Sequence, residues 1–416
     1  MGTPLCVVSF VLHCSQYDRV EPNARSAVYL YALLWHLGNE YGDHMKKSSI
    51  RVLYVISTLR RCGPNQVLLN ILRYLDRQQI TPAILTLSPE PADSFVPAIE
   101  SLQIQWASLG LPRWHGMVGK RLRQFVDEHA PNVIQTHGVR ADWLAATVLH
   151  GYRRIARMDN YPVEDYRMNF GWLRGSLMVQ QNIWAWQRIE QVIACSQSVA
   201  DQIHPHGIHP YVIPNGVDTT HFLPLDPAAR KQLRHQLGLP QAQPIIVSLS
   251  SLIPLKDPLT LIAAFLKSRL AQDTLLLLVG DGVLRQACER LTADHPQIRF
   301  AGRVNNVRDY LQAADLFCST SYTEGLPNAV LEAIACGLPV CLSDIAPHRE
   351  ILRYNQRAGV TFPVGDVPRL TAVLNSVPGW RLDVMGKAAR AIATEHLSAE
   401  KMAAAYQQLY LQIGRG

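Results

Sequence analysis

The stretch SYTEGLPNAVLEAIACGLPVCLSD, residues 321–344, holds the residue types best spaced for chemistry. It follows an apolar strand-like run and reads as a loop, a helix and a further strand. Glu324 stands in the loop, Asn328 begins the helix, Glu332 lies on its first turns and Gly337 ends it. A helix N-terminus presents unpaired backbone N–H groups and the positive end of a dipole, so it takes an anion readily. Gly325 lets the backbone come close to a ligand, and Pro327 presets the turn into the helix. Glu324 can accept hydrogen bonds from sugar hydroxyls, and Glu332 can take two vicinal hydroxyls such as those of a ribose. Two glutamates at this spacing arise easily by chance, and Glu332 alone would be an ordinary solvated helix residue. The weight therefore rests on the whole string.

The elements that position this string alternate in type. Strand-like apolar runs fall at 51–57, 82–88, 132–137, 153–159 and 191–196, with helically spaced segments such as 67–75 and 141–149 between them. The rhythm restarts after a Pro-, Gly- and His-rich connection at 204–218, with runs at 244–250, 274–280, 297–302, 315–320 and 338–343. An amphipathic helix is expected at 398–413. Alternation of this kind implies an α/β protein with two Rossmann-like, doubly wound parallel-sheet domains facing a central cleft, where such sheets bind ligands. The expected division is 45–210 for a first domain and 211–396 for a second. A C-terminal helix at 397–416 would pack back toward the first. Residues 1–44 fit no element of this scheme. They read as an upstream extension, the competing reading being an accessory helix at 25–36.

Composition supports a two-domain globular chain: 416 residues, 48% hydrophobic and 18% charged. The net charge of +7 sits mostly in residues 45–210. A basic domain suits an anionic membrane face or a phosphate-bearing acceptor, against the plainer reading of a solvated surface. No Lys/Arg run with interleaved aromatics points to nucleic acid. The eight cysteines form no C-x-x-C pair and read as reduced core residues of a cytoplasmic protein. His204, His206 and His209 match no standard zinc spacing, and no apolar run is long enough to span a bilayer.

The 321–344 string resembles the donor-binding motif of glycosyltransferase family 4, of GT-B fold, whose pattern is E-G-hydrophobic-P-N-x-x-x-E-A-x-A-x-G-x-P-V. Glu324, Gly325, Leu326, Pro327, Asn328, Glu332, Ala333, Ala335, Gly337, Pro339 and Val340 stand in register with it. IPNGVD (213–218), LIPLKDPLTLIAAF (252–265), LLVGDGVLR (277–285) and FAGRVNNVRDYLQAAD (300–315) resemble further family segments in the right order. The likeness covers about residues 48–415 and is strongest over 213–350.

This resemblance implies a retaining enzyme that moves a sugar from a nucleotide-sugar, UDP-linked by expectation, to a glycan or lipid-linked glycan in surface polysaccharide synthesis. It implies Glu324, Lys256 and His137 as catalytic residues: Glu324 holding sugar hydroxyls, Lys256 stabilising the departing diphosphate, and His137 near the donor sugar. Donor contacts are implied for Gly63, Ser251, Gly280, Asp281, Gly282, Arg303 and Val304, and for Gly325, Leu326, Pro327, Asn328, Val330 and Glu332. Asp159 and Asn160 would line the acceptor side. The chain has no D-x-D, so cationic side chains and helix N–H groups are expected to serve the diphosphate without a metal or other cofactor. The expected setting is the cytoplasm, with peripheral contact at the inner face of the cytoplasmic membrane as the further reading.

The chain departs from the family at Ser251, where an arginine is usual, and at Pro64, which replaces a second glycine of the loop. Arg303, Arg60 and Arg61 are the candidates to take the arginine's place. Three other readings compete: a GT-B nucleotide-sugar epimerase, an NAD-dependent dehydrogenase, and a catalytically dead homologue that partners another transferase. Gly280 and Gly282 do not complete a G-x-G-x-x-G fingerprint, which counts against the dehydrogenase.

Overall fold

Apolar runs such as Leu275–Val279 become parallel strands because helices cover both of their faces, and this run is buried along its whole length. In the computed structural model, which describes residues 49–112, 115–293 and 295–415, these runs build two sheets. The first contains β1 (Ile50–Ile56), β2 (Ile80–Thr86), β3 (Gln105–Ser108), β4 (Val133–His137), β5 (Arg154–Met158), β6 (Gln191–Ala194) and β7 (Tyr211–Val212). Their order is β3-β2-β1-β4-β5-β6-β7. The second contains β8 (Ile245–Leu249), β9 (Leu275–Val279), β10 (Ile298–Gly302), β11 (Leu316–Ser319), β12 (Val340–Ser343) and β13 (Gly359–Phe362), in the order β10-β9-β8-β11-β12-β13. Every strand pairing is parallel.

The two doubly wound sheets follow the expected alternation. In each, the strand order reverses beside one strand: β1 lies between β2 and β4, and β8 between β9 and β11. Helices leave to opposite faces there, which opens a crevice at the carboxyl ends of the strands. Three strands escaped the sequence reading, namely β3, β7 and β13. All three are sheet edges with partly exposed positions, so none carries a continuous apolar run. β7 lies within the stretch read as a plain connection and extends the first sheet.

The last helix, Ala399–Arg415, returns to the first sheet. Its Tyr410 hydroxyl donates to Gln135 Oε1 at 2.6 Å and lies 2.9 Å from the Tyr54 hydroxyl. Its Tyr406 hydroxyl accepts from Arg157 Nε at 2.9 Å. Both tyrosines are wholly buried, so the helix belongs to the core under β1 and β4. The expectations for residues 1–44 lie outside the described residues. Of the cysteines described, Cys62 is exposed, contrary to the reading of a core thiol, and the other five are buried. No helix among the described residues is long and apolar enough to cross a membrane.

Candidate active site

The second sheet supplies one wall at its reversal point. The backbone beyond β8 is held by loop hydrogen bonds, Ser250 N to Val279 O at 3.0 Å and Leu252 N to Asp281 O at 3.0 Å. A side chain at Gly280 would place its Cβ 1.9 Å from Ser250 O, and one at Gly282 would come within 2.4 Å of Leu252 O. These glycines therefore serve the packing of two loops against each other. Lys256 ends the short turn Pro254–Lys256, and Asp257, in the left-handed region (φ 45°), caps the next helix through Thr260 N. Thr320 pins the turn by donating to the carbonyls of Lys256 and Asp257 at 3.0 and 2.7 Å. Lys256 Nζ then reaches Glu324 Oε1 at 2.5 Å, and Ser321 Oγ donates to the same oxygen at 2.8 Å. Both members of the ion pair are largely buried.

The helix Asn328–Ala335 begins beside this pair, and no side chain caps its N-terminus. Its first residues, Asn328, Ala329 and Val330, line the cavity. This gives the arrangement of uncapped N–H groups, dipole and adjacent lysine that suits an anion.

The first domain closes the other side. Asn328 Nδ2 donates to Gly63 O at 3.0 Å across the cleft. Asn215 donates to Leu326 O at 2.8 Å and accepts from Arg157 Nη2 at 2.6 Å. Arg157, the last but one residue of β5, is buried and also pairs with Asp159. Ser196 Oγ donates to Gly325 O at 3.0 Å, and a Cβ on Gly325 would lie 1.8 Å from Asp159 O. Gly325 is thus the point where the two backbones touch. Between the walls lies a cavity of about 520 Å³.

Ten expected residues line this cavity: Lys256, Glu324, Gly325, Leu326, Pro327, Asn328 and Val330 from the second domain, and Gly63, Asp159 and Asn160 from the first. The others do not. His137 is buried at the end of β4, where its Nε2 lies 2.8 Å from Gln135 Nε2 and its Nδ1 has no hydrogen-bond partner. Burial, with the charge of Arg157 adding to it, holds this imidazole well below its usual pKa, so it is neutral. Gly280, Asp281 and Gly282 form the tight loop described above. Ser251 is exposed beside that loop. Arg303 is 70% exposed and leans to Asp93 of the first domain at 3.6 Å, an acid that also faces Arg61 at 3.5 Å. Both arginines thus face Asp93 at the surface, outside the cavity lining. Val304 is half-buried outside the cavity wall.

Glu332 stands a full turn along the helix, away from the cavity wall, and desolvation pushes its carboxyl up to about 8. The three histidines do not converge: His204 and His209 stand 5.3 Å apart, while His206 Nε2 meets the Tyr161 hydroxyl at 3.1 Å. Among the described residues no group of three His, Cys, Asp or Glu could hold a metal ion.

Several wall residues were missed: Asp165 and Tyr166 from the helix Pro162–Phe170, Ser319 at the end of β11, Ser250, Ser321 and Thr323 from the second sheet's loops, and Asn215. Asn215 stood in plain view within IPNGVD. The serines and threonine carry no periodic or spacing signal, and only their place at or after the ends of β8 and β11 marks them.

Two family models match the chain. One, described as Glycosyltransferase Family 4, covers residues 62–221, and the other, Glycosyl transferases group 1, covers residues 243–377. The chain is similar to the GDP-mannose-dependent monoacylated alpha-(1-6)-phosphatidylinositol monomannoside mannosyltransferase of Corynebacterium glutamicum. They are 32% identical over 209 residues, 47% of this chain and 53% of that protein. The match thus spans about half of that relative's length. Similarity to the O-antigen biosynthesis glycosyltransferase WclY of Escherichia coli is 23% identity over 378 residues, 88% of this chain and 99% of that one. The crystal structure of Anabaena HepE in complex with UDP shares the fold, with a TM-score of 0.72, 18% identity, and coverage of 86% of this chain and 99% of that chain.

Proposed function

The chain belongs to the GT-B glycosyltransferases of family 4, and from that premise we propose that it moves a sugar from a nucleoside-diphosphate sugar to a hydroxyl of a glycan or lipid-linked glycan, with retention at the anomeric carbon. The observation that carries this reading is the Lys256–Glu324 pair beside the uncapped start of the helix Asn328–Ala335, inside the cavity at the second sheet's reversal point. A volume of about 520 Å³ lies within the usual range for small-molecule sites.

In this reaction the donor diphosphate lies against the helix N–H groups and Lys256, which stabilise the charge that grows as the C1–oxygen bond breaks. Glu324 accepts hydrogen bonds from the sugar's hydroxyls. The acceptor hydroxyl attacks C1 on the face the diphosphate leaves, and its proton passes to the departing diphosphate oxygen. Asp159, Asn160 and Asp165 then line the acceptor's approach from the first domain. The donor is taken as UDP-linked, a choice supported by the UDP bound in Anabaena HepE. The relatives named for O-antigen biosynthesis and for phosphatidylinositol monomannoside mannosyl transfer support a glycan or lipid-linked acceptor.

The test is thermal stabilisation by UDP, GDP, ADP, their sugar conjugates and NAD, followed by NMR of the product's anomeric configuration with and without EDTA. Stabilisation by one nucleotide family, a retained anomer and an EDTA-insensitive rate support the proposal. Stabilisation by NAD alone, or an inverted product, overturns it. A second reading, a weakly catalytic partner of another transferase, is favoured by Ser251 and by the tying of Arg303 and Arg61 to Asp93. It predicts nucleotide binding without turnover.

A further inference from the structure

The first domain carries an apolar projection that its core does not use. The helices Pro162–Phe170 and Trp172–Trp186 form a hairpin joined at Gly171, whose φ of 79° turns the chain sharply. Its apex presents Phe170, Trp172 and Leu173, and the next turn adds Leu177. Trp172 is 71% exposed, Leu173 65% and Leu177 64%, and Met168 and Trp184 are also exposed. Isolated apolar side chains on a surface are ordinary, but six large ones gathered on one hairpin are a contact surface.

At its apex the charged side chains are Arg167 and Arg174, while Glu164 and Asp165 stand toward the base of the first helix and Glu190 follows the second. From residue 166 to residue 189 the sequence holds Arg167, Arg174 and Arg188 and no aspartate or glutamate. Arg188 stacks on Trp184 with its guanidinium carbon 4.0 Å from the ring centroid. Exposed Glu164 lies one helical turn back from Met168, and exposed Glu190 lies two residues after Arg188, where it pairs with Arg154. Aromatic and aliphatic tips flanked by arginines match the boundary of an anionic bilayer, where rings sit among headgroups and cations meet phosphates.

The hairpin is also joined to the cavity. Asp165 and Tyr166 of its first helix line the cavity, and Asn182 of its second donates to the Tyr166 hydroxyl at 3.1 Å. A Cβ on Gly175 would lie 2.5 Å from Tyr166 O, so the two helices are in backbone contact and move as one piece.

We propose that this hairpin docks on an anionic lipid surface, with residues 170–173 inserted among the headgroups and the cavity mouth held beside them. The inference deepens the proposed lipid-linked acceptor and rests on it for its purpose, but its test does not depend on any donor or acceptor.

The test is co-sedimentation of the full chain with phosphatidylcholine vesicles, with and without phosphatidylglycerol. Wild type is expected to pellet with the anionic vesicles and to be released by salt. The triple variant Trp172→Ser, Leu173→Ser, Leu177→Ser should bind at least about tenfold more weakly. Arg174→Glu with Arg188→Glu should lose the preference for phosphatidylglycerol. Circular dichroism and urea midpoints equal to wild type would show that both variants fold. Absence of wild-type binding, or undiminished binding by a folded triple variant, overturns the proposal. So does a lipid-free wild-type dimer that the triple variant converts to monomer, since the patch would then be an interface between copies. Failure of the transferase reading would leave the vesicle result unchanged.

Discussion

Lys256 Nζ lies 2.5 Å from Glu324 Oε1, so the cation assigned to the diphosphate and the carboxylate assigned to the sugar neutralise each other in the free protein. Donor binding must separate or share this pair. Lys256→Ala should therefore weaken nucleoside-diphosphate binding about tenfold or more, by loss of a charge-assisted contact. Glu324→Ala should leave nucleotide affinity near wild type while lowering kcat about a hundredfold. Calorimetry with UDP and steady-state kinetics separate the two, and an unchanged kcat in Glu324→Ala removes that residue from the chemistry.

Gly325→Ala tests the domain contact. The added methyl would lie 1.8 Å from Asp159 O and 2.9 Å from Cys195 Sγ, and neither the carbonyl nor the buried thiol can turn away. The variant should lose about 1–3 kcal/mol of stability and most of its activity. A urea midpoint equal to wild type would show that the two backbones do not meet as described.

Glu332 predicts a pH dependence. Its folded pKa of about 8 lies above the ordinary 4.5 because burial disfavours the charge. The folded state thus holds the proton more tightly than the unfolded chain. This group's effect on stability is neutral at low pH and grows unfavourable as pH rises from the ordinary glutamate range through about 8. If ribose hydroxyls bind the carboxylate, nucleotide binding expels the proton, and affinity should rise between about pH 6 and 8, then level off. Glu332→Gln should flatten that rise. Calorimetry in buffers of different ionisation enthalpy would count the released proton, and zero release would place the ribose elsewhere.

Arg157 is buried with partners from three places: Asp159, Asn215 and Tyr406. Tyr406→Phe removes only the hydroxyl that accepts from Nε and leaves that donor unpaired in the core. The expected cost is about 1–3 kcal/mol. A shift in urea midpoint at constant slope would measure it.

The alternation of apolar runs was enough to read ten of the thirteen strands and both sheets' parallel nature: nine of the ten are central strands, buried on two faces, and the tenth is the edge β10. The short, partly exposed edges β3, β7 and β13 were invisible for the converse reason. At the cavity, the 324–330 string was legible from its resemblance to a known motif, although Gly325 answers to Asp159 and Glu324 to Lys256, contacts that the string does not contain. His137 was read from its place at a strand end, yet burial decides its state, and burial depends on Tyr54 and Tyr410, more than eighty residues before it and at the far end of the chain.

The sequence by itself determined the two-domain α/β plan, which follows from the periodicity of its apolar runs, and the family and donor-side turn, which follow from the resemblance of the 321–344 string to a known motif. Tertiary structure alone decided which of those residues face one another. It brought Gly63 to Asn328 and Asp159 to Gly325, tied Arg303 and Arg61 to Asp93, and set the hairpin's Asp165 and Tyr166 into the cavity wall. The physical reason is that these contacts join residues far apart in the chain, and their distances come from packing two sheets and a returning helix, which no window of sequence contains.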